Sequence, residues 1–318
     1  MPEEARVQCK GFLFDLDGTL LNSRMQIQQE SIDAIRWAMG HGVSVMLASG
    51  RHQEAIYPYW RELGLNLPAI CSNGACLFDF DQDRPIDHTP LTRSQATGVL
   101  ELVRKYQINC MLYADDYMGY ESVSRHREQL RTWALSLPPD VRPRLRPVDD
   151  LGRLIETARY VWKFDTVSDH LYSLKMFAHE VSDLMGLECE WSSESGVDVI
   201  QKGNSKGARL ADWIAARGVD PAEVIAFGDH YNDLSMFRVA GISVAMANAM
   251  DSVRLLADWV TGSNDQSGIS DALRRFVCPS GGSTVRRTPV RRAAASAPLA
   301  WRKGRRGDGV RSARGGYP

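Results

Sequence analysis

Short apolar runs that each stop at a polar cluster set the rhythm of this chain. Gly11 to Phe14 ends at Asp15, and Ile27, Ile32, Ile35 and Met39 then recur at helical spacing before Gly40 and Gly42. That segment reads strand, loop, helix. Val43 to Ala48, apolar except for Ser44, is a second strand, followed by Ser49-Gly50-Arg51 and a helical stretch through Leu63 with Pro58 near its start or at a bend. Ala69 to Cys71 is a third strand. The rhythm returns late in the chain: Ser205 is placed to cap a helix carrying Leu210 and Ile214, Gly218 ends it, and Glu223 to Phe227 opens into Gly228-Asp229. A helix over Asp233 to Ala240 then leads to a strand over Ile242 to Ala247.

Strand and helix in alternation predict an α/β fold, a Rossmann-like core whose parallel sheet is wound with right-handed crossovers and covered on both faces. Between the two halves the order changes. A helix near Arg93 to Lys105, strands around Cys110 to Glu121, a helix near Arg125 to Leu135, and strands around Tyr160 to Phe164 and Leu187 to Trp191 describe an inserted α+β module. The expected division is a discontinuous core of residues 1–82 and 201–278, an insert of 83–200, and a tail of 279–318. The tail lacks apolar periodicity and is expected to be disordered.

Composition fits this reading. A chain of 318 residues exceeds the usual single-domain size, and 44% hydrophobic with 24% charged residues is ordinary for a globular protein. The longest conspicuous uncharged stretch, Val239 to Met250, falls short of the roughly 20 residues that span a bilayer. With charged residues at the start and no export signal, a cytoplasmic protein is expected. Its six cysteines form no CxxC pair and are expected to be reduced. The tail sets ten cationic residues against Asp308; subtracting that excess of nine from the overall −1 leaves about −10 for the preceding residues. Nucleic acid is therefore considered as a partner for the tail alone, where a solvated extension is the simpler explanation.

Four clusters follow predicted strands: Asp15-Leu16-Asp17-Gly18-Thr19, Ser49-Gly50, Ser72-Asn73-Gly74, and Gly228-Asp229 through Asn232-Asp233. Each alone is a common turn or cap signal. Together they converge, because strand ends of a parallel sheet share one edge and ligands bind in the crevice beyond it. Lys206 joins them from the start of its helix. Asp15 and Asp229, with the backbone carbonyl of Asp17, offer the hard oxygens that Mg²⁺ takes when it also shares phosphate oxygens. A carboxylate is ionised at neutral pH, so Asp15 needs no base to act as a nucleophile. Asp17 can protonate a leaving oxygen and then deprotonate water. Leu16 and Gly50 through their amides, the Ser49 hydroxyl, Lys206 and the Asn232 side chain are candidates to hold a phosphoryl group. Asp233 is placed to position Lys206 or a metal-bound water.

Phe12-Leu-Phe-Asp-Leu-Asp-Gly-Thr-Leu-Leu21, Ala48-Ser-Gly-Arg51, Ser72-Asn-Gly-Ala75, Gly203-Asn-Ser-Lys-Gly207 and Gly228-Asp-His-Tyr-Asn-Asp233 resemble the motifs of Cof-type haloacid dehalogenase phosphatases. The resemblance covers about Lys10 to Phe276. It implies a Mg²⁺-dependent phosphatase of small phosphorylated metabolites that forms a phosphoaspartate on Asp15, with Asp17 as acid/base and metal ligand and Asp229 as metal ligand. It also makes the insert a cap that contacts substrate. Gly50-Arg-His-Gln-Glu-Ala-Ile-Tyr-Pro-Tyr59, Leu67-Pro-Ala-Ile-Cys-Ser-Asn-Gly74, Val161-Trp-Lys-Phe164 and Gly186-Leu-Glu-Cys-Glu-Trp191 are similar to the pyridoxal phosphate phosphatases of this family, which implies pyridoxal 5′-phosphate as first substrate and sugar phosphates as secondary ones. A general sugar phosphatase or a phosphomutase on the same scaffold are the alternatives. His52, Tyr113, Asp116 and Trp191 are conceivable substrate contacts from the insert and its edge.

Overall fold

Strand β1 (Gly11–Phe14) is the apolar run ahead of Asp15, and all three of its apolar residues are buried. Helix α1 (Gln29–Gly40), strand β2 (Ser44–Leu47), helix α2 (Gln53–Leu63) and strand β3 (Ala69–Cys71) follow in the expected alternation. The computed structural model describes residues 9–122 and 124–276, so the predicted tail lies outside the described residues. β1 and β2 pair in parallel from Gly11–Ser44 to Phe14–Leu47, and a parallel bridge from Ala48 to Ile70 brings in β3. Pro58 lies inside α2, which closes on Gly64 in the left-handed region. Two further strands follow: β4 (Cys76–Asp79) folds back antiparallel on β3, and β5 (Arg84–His88) antiparallel on β4. β5 lies just past residue 82 and extends the antiparallel pairing of β3 and β4.

Helix α3 (Arg93–Lys105) has the predicted bounds because Thr92 and Gln95 form a reciprocal cap at its start. Next come β6 (Asn109–Ala114), β7 (Met118–Tyr120), α4 (Arg125–Ser136), β8 (Leu145–Pro147), α5 (Leu151–Thr157), β9 (Val161–Val167), α6 (Leu171–Met185), β10 (Glu188–Ser193) and β11 (Gly196–Ile200). The strands make one six-stranded sheet in the order β10-β11-β9-β6-β7-β8, antiparallel but for β7–β8. Strand alternation sorts its two faces. Cys110, Leu112, Phe164, Val197 and Val199 pack with Leu100, Leu154 and Phe177 of the covering helices. Tyr113, Lys163, Asp165 and Asp198 line the cavity that also contains Asp15.

The chain then returns with α7 (Lys206–Ala216), β12 (Val224–Gly228), α8 (Leu234–Val239), β13 (Ile242–Ala245), α9 (Asp251–Leu256), β14 (Trp259–Val260) and α10 (Gly268–Phe276). The first sheet runs β14-β13-β12-β1-β2, all parallel. Phe12, Phe14, Val45, Leu47 and Phe227 pack toward α1 and α10 on one face. Leu13, Met46 and Ala226 pack toward α7 and α8 on the other. Phe14 stacks on Phe227 at 4.6 Å between ring centroids, and each such fully buried ring contributes about 2–3 kcal/mol. That packing fixes β1 against β12 with Phe14 opposite Phe227, so Asp15 and Asp229 emerge side by side at the carboxyl edge.

Candidate active site

The loop after β1 and the loop after β12 approach so closely that neither tolerates bulk. A Cβ on Gly18, where φ is +77°, would stand 2.3 Å from Asp229 Oδ2. The Thr19 hydroxyl donates to Asp229 Oδ1 at 3.0 Å. Ser205 caps α7 by accepting from the Ala208 amide at 3.0 Å, which sets Lys206 at the helix start. Lys206, 1% exposed, donates to Asp15 Oδ1 at 2.6 Å and to Asp233 Oδ1 at 2.7 Å. The second oxygen of Asp233 accepts from the Asp229 and His230 amides at 2.9 and 3.0 Å. Both carboxylate oxygens of Asp233 are thus engaged, and its part is to hold Lys206 and the loop.

Asp15, Asp229 and Asp233 bring one oxygen each within 4.8 Å of one another. Three carboxylates face one ammonium here. The imbalance shows in their acidity: burial first, then Asp233 and Asp229 over the opposing pull of Lys206, raises Asp15 well above the carboxylate range. Burial and the Asp233 charge push Asp229 up to about 7. For Lys206, burial disfavours the charge, but Asp15 and Asp233 outweigh it and keep the ammonium protonated. An all-oxygen cluster with surplus negative charge is the donor set a hard divalent cation fits.

Asp17 is handled differently. Arg51 grips it with two hydrogen bonds, Nε to Oδ2 at 2.7 Å and Nη2 to Oδ1 at 2.6 Å. The guanidinium lies 5.4 Å from the Tyr59 ring centroid and 4.8 Å from that of Trp133 on α4, so the inserted segment helps aim it. Although the crowding of the cavity works to raise the carboxyl of the half-exposed Asp17, the charge and hydrogen bonds of Arg51, with help from Lys206 and Lys163, hold it below its ordinary value. Arg51 was visible in the sequence as the end of Ser49-Gly50-Arg51, yet nothing in that motif reveals a partner 34 residues upstream.

The remaining predicted residues converge on the same volume. A cavity of ≈ 730 Å³ is lined by Asp15, Asp17, Ser49, Gly50, Asp229 and Asn232 on the first sheet's side. Lys206 does not line the cavity but reaches it through its bond to Asp15, and the Leu16 side chain is buried in the core, leaving its backbone as the group to meet an anion. Ser49 Oγ accepts from the Arg51 amide at 3.2 Å. Across the cavity stand Tyr113, Lys163, Asp165 and Asp198 with Ser168, Ser192, Ser193 and Ser195. Of the conceivable contacts from the insert, Tyr113 reaches this cavity. Asp116 lines a separate one, and Trp191 packs with the insert's own core. His52 is fully buried, caps α2 by accepting from the Glu54 amide at 3.3 Å, and bonds the Ala114 carbonyl through Nε2 at 2.7 Å. Burial above all drives its pKa down to about 4, so it is a neutral clamp between the two parts of the fold.

Comparison with known proteins agrees with this geometry. A sequence model of the haloacid dehalogenase-like hydrolase family matches residues 12–273. Pyridoxal phosphate phosphatase YbhA of Escherichia coli (strain K12) is 39% identical over 263 residues, spanning 83% of this chain and 95% of its own. The 5-amino-6-(5-phospho-D-ribitylamino)uracil phosphatase YwtE of Bacillus subtilis (strain 168) is 25% identical over 276 residues, 82% of this chain and 96% of its own. A haloacid dehalogenase-like hydrolase of Bacteroides thetaiotaomicron superposes with a TM-score of 0.74 at 26% identity, covering 85% of this chain and all of that one. With motifs, cluster and fold in accord with these matches, the chain belongs to the haloacid dehalogenase-like hydrolases and is a phosphatase.

Proposed function

We propose that this enzyme hydrolyses small phosphomonoesters with Mg²⁺ through a phosphoaspartate on Asp15, and that pyridoxal 5′-phosphate is its first substrate. The observation that carries the reading is Asp15 itself, held by Lys206 at 2.6 Å beside Asp229 at the carboxyl edge of a parallel sheet, facing a cavity roofed by the insert. Residues 1–82 and 201–278 serve as the catalytic core in this reading, and 83–200 as the cap that chooses the substrate.

Asp15 and Asp229, with the Asp17 carbonyl, would hold Mg²⁺, which when bound offsets the carboxylate charge and draws in a phosphate oxygen. Lys206 keeps one Asp15 oxygen fixed, leaving the other as the nucleophile. Attack at phosphorus forms the aspartyl phosphate and breaks the bond to the leaving oxygen. Asp17 serves both halves. Ionised against Arg51, it is ready to take the proton of the attacking water in the second half. To donate in the first half it must take up a proton, which the nearby phosphate dianion favours by raising its pKa. Ser49, Gly50, the Leu16 amide and Asn232 surround the phosphoryl group.

The 39% identical relative named for pyridoxal phosphate supports that substrate. Sugar phosphates follow as secondary substrates because six serines line the cavity and offer partners to hydroxyls. The five described cysteines are all free, which suits a cytoplasmic site of action, and among the described residues no helix is long and apolar enough to cross a membrane. The test is phosphate release from a panel of pyridoxal 5′-phosphate, sugar phosphates and nucleotides, with Mg²⁺ and with EDTA. Turnover on pyridoxal 5′-phosphate that stops with EDTA and returns with Mg²⁺ upholds the proposal. Full turnover in EDTA overturns the metal, and a sugar phosphate at higher kcat/KM overturns the substrate.

A further inference from the structure

The Ser72-Asn73-Gly74 turn has no part in the chemistry above, yet its backbone is costly to build. Ser72 at φ 51° and Asn73 at φ 55° are consecutive left-handed residues, and Gly74 follows at φ 88°. A non-glycine residue there costs about 1 kcal/mol, and Asn bears it better than Ser. The turn is over-determined by its neighbours. The Ser72 amide donates to Arg51 O at 2.9 Å, the Asn73 amide to Ser49 O at 3.1 Å, and Arg209 Nε to Gly74 O at 3.1 Å. Strain retained at such a place points to a task for the side chain it aims.

Asn73 is fully buried, and its amide is used at both ends. Nδ2 donates to Asp198 Oδ2 of β11 at 2.7 Å, and Oδ1 accepts from Asn232 Nδ2 at 3.3 Å. The same Oδ1 lies over Gly50, where a Cβ would come within 2.6 Å. Asp198 Oδ2 also accepts from Lys163 Nζ of β9 at 2.6 Å, and Lys163 stands 4.6 Å from the Tyr113 ring centroid. An ammonium has three N–H groups. One is spent on Asp198, one side is covered by Tyr113, and Lys163 still lines the cavity shared with Asp15.

We infer that Asn73 is a positioning residue: it ties the phosphate floor at Asn232 and Gly50 to the Lys163–Asp198 pair in the roof, and so presents Lys163 to an acidic or carbonyl oxygen on the substrate's leaving group. The inference rests on the phosphatase reading of this cavity. It adds the substrate feature that reading lacks, an oxygen acceptor beyond the phosphate, which pyridoxal 5′-phosphate supplies as its phenolate and aldehyde and which phenyl phosphate lacks.

Asn73→Gly tests it, because glycine accepts the left-handed backbone while deleting the amide. Steady-state kinetics would compare pyridoxal 5′-phosphate with phenyl phosphate on the full chain with Mg²⁺. For pyridoxal 5′-phosphate, kcat/KM should fall about 10- to 100-fold, mainly through KM, the loss expected for one hydrogen bond to a charged group. For phenyl phosphate, which offers Lys163 no oxygen, only the support of Asn232 is lost, and the fall should be about tenfold smaller than for pyridoxal 5′-phosphate. Lys163→Met should show the same selectivity, and Asn73→Gly added to it should cost little more, because the two act as one unit. Equal losses on both substrates, no loss on either, or additive losses in the double variant would overturn the assignment. If the wild-type enzyme ignores pyridoxal 5′-phosphate, that substrate fails on its own, and the comparison runs with the best oxygen-bearing ester of the panel.

Discussion

Removing the ammonium from the carboxylate cluster tests the electrostatics of the site without touching the nucleophile. In Lys206→Met the side-chain volume is nearly kept, while Asp15 and Asp233, whose side chains are 7% and 0% exposed, lose their shared cation. Breaking a buried ion pair from one side costs about 3–5 kcal/mol, because the remaining charge stays buried and unpaired. Here two pairs, at 2.6 and 2.7 Å, depend on one lysine, so the upper half of that range applies. At about 2–4 °C per kcal/mol for a chain of this size, the melting temperature in EDTA should drop by about 8–20 °C. Mg²⁺ should restore more of the melting temperature in the variant than it adds to the wild type, since a dication supplies the missing charge. Lys206→Met combined with Asp233→Asn should be less destabilised than the two single losses added together. Differential scanning calorimetry on the four proteins, with and without Mg²⁺, gives the answer. An unchanged melting temperature in Lys206→Met, or strict additivity in the double variant, would refute the charge balance argued here.

The buried clamp at His52 should show in stability against pH. Its folded pKa of about 4 lies below the ordinary 6.5, so the unfolded chain binds the proton more readily, and stability is lost as pH falls from 6.5 toward 4. The loss approaches about 3 kcal/mol, read by urea unfolding, and His52→Gln should flatten that part of the profile. Arg51→Met releases the Asp17 carboxyl from its clamp, so its pKa rises and the acid limb of the kcat profile should move to higher pH, with phosphate release as the readout.

What could be read from sequence was what apolar runs and local caps encode. Asp15, Ser49, Asn73 and Asp229 each close a strand of residues buried on both faces, so their convergence followed from the sheet alone. Helix α3 was bounded correctly because Thr92 and Gln95 carry the capping signal locally. β5 was missed because Arg-Pro-Ile-Asp-His has no strand alternation; its pairing is dictated by β4. The helix expected from Asp233 begins instead with a tight turn over Tyr231–Asp233, since the Asp233 side chain is drawn back to the Asp229 and His230 amides. His52 is a conceivable substrate contact from its place beside a motif, but burial between α2 and β6 makes it structural. The Arg51–Asp17 grip and the Asn73–Asp198 bond join residues 34 and 125 positions apart, where no local pattern reports on the partner.

The central claim is that Asp15 makes the covalent bond while Asp17 only moves protons, and trapping the phosphoenzyme tests it most directly. Asp17→Asn keeps the nucleophile but lacks the group that protonates the leaving oxygen and activates water, so each half-reaction should slow by roughly 10² to 10⁴. With an activated aryl phosphate the first half scarcely needs that proton, so the aspartyl phosphate should accumulate. Acid quench followed by intact mass and peptide mapping should place one phosphoryl group on Asp15. Asp15→Asn carrying the same adduct, or Asp17→Asn clearing it at the wild-type rate, would contradict the account.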